Sequence, residues 1–176
     1  MGKNKQTKPT IDEVNSILAV VKIAVRPMEW IAKQTKTIPQ WVEYKSACQI
    51  ANNIREDVFF IATYRPSGKT FIGDTIVEKA EKMTAALHIG QYRVSAIDCD
   101  DNPHTNKVGR GLPYFNQEIT SRTHKHIWCQ SGYGYVEPIH DIIGLGELIR
   151  VFCAEANIAL PHGVKLPESY TQPNLF

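Results

Sequence analysis

Apolar residues recur along this chain with two periods, and each period predicts a different element. Near the N-terminus Ile11, Val14, Ile17, Leu18 and Val21 fall at helical spacing, one stripe of a 3.6-residue repeat. Thr10 and Glu13 form a capping box with the first turn, in which a hydroxyl and a carboxylate each satisfy a backbone N–H. The pattern predicts a helix over about 11–25, ended before Pro27, because proline lacks an N–H and clashes with the turn before it. A second helix is predicted over about 142–156, where Ile142, Leu145, Ile149, Phe152 and Cys153 share a stripe. Gly144 and Gly146 weaken its first turn, and Asn157 is placed to cap its end.

Between the helices the texture is that of strands. Trp41, Val42, Tyr44 and Ile50 are strand formers, and Val58 to Tyr64 is a nearly continuous apolar run, as a well-buried strand requires. Asn52 and Asn53 supply turn chemistry between the two runs, and Arg65-Pro66-Ser67-Gly68 closes the second. Residues 27–39 fit a short helix or a loop. Residues 74–88 fit a helix through Ile76, Val77, Ala80, Met83 and Leu87, or a strand through Met83, Ala85 and Leu87. Tyr92 to Ile97 reads as a strand that delivers Asp98. A polar loop broken by Pro103, Gly109, Gly111 and Pro113 follows, then a strand over Thr123 to Cys129. Ser131 to Tyr135 reads as a turn-rich connection. The expected fold is α+β, an antiparallel β-sheet from residues near 41–64 and 83–128 with both helices packed on one face. Residues 1–9 are expected to form a flexible tail, 10–158 a single globular domain, and 159–176 an irregular C-terminal tail carrying three prolines.

Composition narrows the class. A chain of 176 residues suffices for one domain with a real core. Its 43% hydrophobic and 22% charged residues exclude a disordered or fibrous chain. A net charge of +2 does not by itself provide the concentrated basic face that gripping a polyanion needs. No apolar run reaches the roughly 18 residues of a membrane span, and Asp12, Glu13 and Lys22 interrupt the early apolar stretch, unlike a secretory signal. Cys48, Cys99, Cys129 and Cys153 are widely spaced with no C-x-x-C pair. That spacing points to reduced thiols in a cytoplasmic protein.

The candidate chemistry is concentrated between Asp98 and Trp128. Of six histidines, His104, His124 and His126 fall within 23 residues, close after Asp98, Asp100, Asp101 and Asn102. On a strand, His124 and His126 project from the same side, roughly 7 Å apart, with Lys125 and Ile127 on the other. Two imidazoles so placed can ligate one metal ion or divide acid and base work on one substrate. Pro103 stiffens the loop that presents His104, and a carboxylate beside an imidazole orients its tautomer. His88, His140 and His162 stand alone and read as incidental, and Tyr133 and Tyr135 read as packing.

The order Arg93, apolar strand, Asp98, Pro103-His104 and His124-Lys125-His126 resembles the TumE-type toxin family of bacterial toxin–antitoxin systems. The resemblance covers about residues 91–128, with Thr105 where the family commonly has a second histidine. It implies a small bacterial or phage protein from a toxin or defence context, with RNA as target.

Three functions follow. The first is a toxin- or defence-associated hydrolase cleaving RNA without a cofactor. In it His124 and His126 serve as acid and base, Asp98 orients His104, Arg93, Arg110 or Arg122 holds the phosphate, and Trp128 stacks a base. The second is one divalent metal at His104, His124 and His126, with or without Asp98. The third is a non-enzymatic binding protein, such as an antitoxin or an inhibitor of a host factor, whose partner is a protein.

Overall fold

The computed structural model describes residues 7–34 and 38–170. Its helices are α1 (Ile11–Ala19) and α2 (Leu145–Glu155). The strands preceding the candidate site are β1 (Lys22–Ala24), β2 (Ile31–Ala32), β3 (Val42–Ile50), β4 (Asn53–Arg65), β5 (Gly68–Ile72), β6 (Thr75–Lys79) and β7 (Lys82–Ile89). Those around and after it are β8 (Tyr92–Cys99), β9 (His104–Thr105), β10 (Glu118–Ile119), β11 (Thr123–Cys129), β12 (Gly132–Pro138) and β13 (Ile158–Ala159). The main sheet runs β12-β11-β8-β7-β4-β3-β1-β13, with β2 paired to part of β3; β5–β6 and β9–β10 form separate two-stranded ribbons.

The α+β expectation holds at that level, and its finer parts need correction. The sheet is mixed: β1 and β13 pair in parallel, whereas the other described pairings are antiparallel. The sheet also reaches further along the chain at both ends than residues 41–128. The first helix stops at Ala19 instead of near residue 25. The β-branched Val20, Val21, Ile23 and Val25 favour extended backbone. The fully buried Lys22 then takes over the helix end: its Nζ donates to the carbonyls of Ile17 at 2.6 Å, Val20 at 2.6 Å and Leu18 at 3.3 Å, which α1 leaves without partners. Burial pulls this ammonium down to about 8. The expected capping box at Thr10 and Glu13 is present.

Residues 74–88 resolve as strands β6 and β7, not a helix. Residues 27–34 carry the short β2, and residues 35–37 of that segment lie outside the described residues. The connection expected over 131–135 is the start of β12, because a two-residue turn at Gln130 and Ser131 sends the chain straight back along β11. The tail expected over 1–9 lies largely outside the described residues, although Lys8 already donates to the Ser131 carbonyl at 3.0 Å. From Leu160 to Tyr170 the chain is irregular yet packed: Tyr170 sits edge-on to Tyr64 at 5.3 Å, and Lys165 accepts a hydrogen bond from Trp30 at 2.7 Å.

Both helices feed one core. Val14 of α1 and Leu145, Leu148, Ile149 and Phe152 of α2 cluster with Tyr44, Val58, Phe60, Leu87 and Ile97 from the sheet. Phe60 stacks on Phe152 at 6.0 Å and meets Tyr44 edge-on at 5.7 Å. Lys125 of β11 ion-pairs with Glu155 of α2 at 2.6 Å. By strand alternation, His124 and His126 therefore point away from α2. Among the described residues, no helix is long and apolar enough to cross a membrane.

Candidate metal centre

Cross-strand register assembles the site. Asp98 on β8 stands opposite His124 on β11, and Ala96 stands opposite His126. All share the face turned from α2. Direct partners across an antiparallel pair lie within side-chain reach of each other. The third histidine arrives on the excursion over residues 100–122, where β9 and β10 pair His104 with Ile119.

Asn106 fixes that excursion to the edge of the sheet. It is fully buried, its Nδ2 donates to the carbonyls of Val136 at 2.8 Å and Tyr114 at 3.0 Å, and its Oδ1 accepts from Val136 N–H at 2.7 Å. The carboxamide thus imitates a neighbouring strand and satisfies part of the open β12 edge. Asp100 holds the loop's start, accepting from Asn102 N–H at 2.8 Å.

The result is a compact triad. Ring centroids are 4.4 Å apart for His104–His124, 5.1 Å for His104–His126 and 5.2 Å for His124–His126. One nitrogen from each ring lies within 4.8 Å of the other two. His124 is fully buried, His126 is 5% exposed and His104 is half-buried. Nε2 of His104, Nε2 of His124 and both nitrogens of His126 are buried without a hydrogen-bond partner among the described residues.

The outer contacts choose the ligand atoms. His124 Nδ1 lies 3.1 Å from the Ser121 carbonyl. A carbonyl only accepts, so Nδ1 carries the proton and Nε2 keeps its lone pair. His126 Nε2 is 3.1 Å from Asp98 Oδ2, a close charge contact whose angle falls short of a hydrogen bond. It marks Nε2 as the protonated side and leaves Nδ1 free. Asp98 is 6% exposed and is held in turn by Arg93, whose Nη2 donates to Oδ1 at 2.5 Å. Burial pushes the Asp98 carboxyl up, but His126 and the Arg93 guanidinium outweigh that and hold it well below the usual range.

Burial drives His104 and His124 towards their neutral forms. In His104 its neighbours His124 and His126 add to the effect; in His124 the Ser121 carbonyl and Asp98 oppose it. Neutral rings with free lone pairs are what a metal ion requires. A tetrahedral ion bonded at about 2.0–2.1 Å would draw the three nitrogens somewhat closer together.

The expected site residues divide into two groups. Asp98, His104, His124, His126 and Arg93 come together. Arg122 instead pairs with Asp101 at 2.9 Å and approaches Glu81 at 3.8 Å. Arg110 is exposed and makes no hydrogen bond or ion pair among the described residues. Trp128 is 6% exposed, with the Lys8 ammonium 5.4 Å above its ring and Tyr92 against its edge, so its faces are occupied. Tyr133, read from sequence as packing, stacks on His126 at 5.3 Å and 10°. The two-residue turn between His-x-His and Gly-Tyr-Gly is the signal that could have placed it there.

No protein-family model matches this chain, and neither curated proteins nor solved structures contain a match to it. The resemblance over about residues 91–128 therefore rests on its motif residues alone.

Proposed function

We propose that this protein is a metal-dependent hydrolase in which His104 Nε2, His124 Nε2 and His126 Nδ1 hold one divalent ion. The observation that carries the reading is the convergence of three imidazoles whose unpartnered nitrogens are buried. Buried polar atoms in folded proteins are nearly always paired, and a cluster of exceptions calls for a missing partner. Zinc suits three neutral imidazoles, and three protein ligands leave a fourth tetrahedral position open. Such an ion supplies a Lewis acid and an acidified water. Asp98 orients the His126 ring, the carboxylate–histidine arrangement that fixes a metal ligand, and Arg93 fixes Asp98.

Cleavage of RNA by histidines alone needs one ring charged as an acid near neutral pH. His104 and His124 are driven the other way, which favours the metal reading over that one. RNA remains a substrate to test on the metal centre, in the cytoplasmic toxin or defence setting that the motif order implies. The four cysteines are all buried and free, in keeping with a reducing compartment.

The test is metal analysis of purified protein beside hydrolysis of a mixed RNA pool and an activated phosphodiester, with chelator and with His124→Ala. One zinc per chain, with cleavage lost to both chelator and substitution, is expected. Cleavage that survives thorough chelation would return the reading to acid–base histidines. Absence of retained or reconstituted metal would remove the proposal.

A further inference from the structure

Seven buried side-chain nitrogen or oxygen atoms lack a partner among the described residues, and six of them belong to His104, His124, His126, Arg93 and Tyr133. A metal ion accounts for one lone pair on each ring, and His126 Nε2 faces Asp98. The ion does nothing for the Arg93 Nε–H, which can only donate, and it leaves the Tyr133 hydroxyl with a proton to donate.

These two side chains are neighbours beside His126. The Arg93 guanidinium carbon lies 5.4 Å from the Tyr133 ring centroid, and that ring stacks on His126. Arg93 commits Nη2 to Asp98 and leaves Nε unmade. Its side chain is 26% exposed as a whole, while the Nε atom itself is buried. Charge points the same way. Asp98 is already balanced by Arg93, so nothing in the triad offsets a divalent ion on three neutral rings. A ligand that offers only acceptor oxygens and brings negative charge answers all three demands at once.

We propose that the site takes an oxyanion group, a carboxylate or a phosphate, held between the histidine-bound metal ion and the Arg93 Nε–H and Tyr133 O–H donors. The proposal rests on the metal reading above. The substrate is thereby an anion at the reacting end, and Arg93 and Tyr133 are its binding residues.

The experiment uses full-length protein loaded with zinc, checked for one zinc per chain, and titrated calorimetrically with inorganic phosphate, acetate and neutral acetamide. Phosphate or acetate is expected to bind and acetamide not to bind. Stronger phosphate binding assigns a phosphoryl group, and stronger acetate binding a carboxylate. Tyr133→Phe keeps the ring that stacks on His126, and Arg93→Lys keeps the charge against Asp98. Each is expected to weaken the preferred anion at least tenfold while zinc content and circular dichroism stay unchanged. Zinc-loaded protein that binds neither anion, or binds them equally well in both variants, overturns the oxyanion proposal and leaves the metal reading standing. Failure to take up zinc brings down both, and the metal analysis tells the two cases apart.

Discussion

Strands β8 and β11 have two faces, and the two obey different rules. Towards α2, Ile97, Cys99, Thr123 and Lys125 are apolar or fully paired. Thr123 Oγ1 accepts from Ile142 N–H at 3.4 Å and meets Cys99 Sγ at 3.7 Å, and Lys125 has Glu155. Away from α2, Asp98, His124 and His126 leave ring nitrogens unmet within a layer that is almost as well buried. The same backbone thus carries one face optimised for folding and one that folding alone does not explain. Local departures from good packing concentrate where function needs them.

Substitutions on the two faces should therefore separate stability from binding. The largest effect belongs to the inner face. Phe60→Ala removes a fully buried ring from between Tyr44 and Phe152, and chemical denaturation should show a loss of about 4 kcal/mol, with zinc uptake failing only as the fold fails. On the outer face, saturating zinc should raise wild-type stability by about 2.7 kcal/mol at a hundredfold excess over its dissociation constant. His124→Leu should abolish that gain while costing the metal-free protein at most about 1 kcal/mol, since removal of the unpartnered Nε2 offsets loss of the Nδ1 hydrogen bond to Ser121. A metal-free His124→Leu protein that is strongly destabilised would erase the proposed contrast.

Asn106→Ala tests the link between the faces. Losing three buried hydrogen bonds should cost about 2 kcal/mol and loosen His104, so zinc affinity should fall roughly tenfold while the main sheet persists by circular dichroism. Acid should act on the outer face first. His104 and His124 are harder to protonate folded than unfolded, with shifts downward from the ordinary 6.5. Between that value and the lower folded ones the unfolded chain binds more protons. Stability of the metal-free protein should hold above about pH 6.5 and decline as pH falls below it, a decline that His124→Leu should lessen. The smallest change is Lys125→Ala, whose partly exposed pair with Glu155 should be worth at most about 0.5 kcal/mol with no effect on zinc binding.

The elements carried by local signals could be read from the chain. The capping box at Thr10 and Glu13 starts α1, the apolar stripe of α2 is where its spacing put it, and Thr123–Cys129 has the expected bounds. The misplaced elements share one cause. Residues 22–24 fall within the helix expected over about 11–25, and only pairing with β3 and β13, with Lys22 closing α1, makes them a strand. Residues 83–87 satisfy both periods, and the neighbours β4 and β8 decide between them.

The candidate site divides along the same line. Which groups are present is written in the chain: a His-x-His strand whose alternation puts two rings on one side, an aspartate at the end of the preceding strand, and a proline-stiffened histidine in the loop between. That His104 joins them follows from long-range packing, because it rests on one buried carboxamide, Asn106, meeting the backbone of a residue 30 positions away. Such packing also turned Tyr133 and Arg93 towards the triad and took Trp128, Arg110 and Arg122 from it. Spacing along a strand fixes the direction of a side chain through the backbone's own geometry, whereas proximity between distant segments depends on which surfaces they bury together.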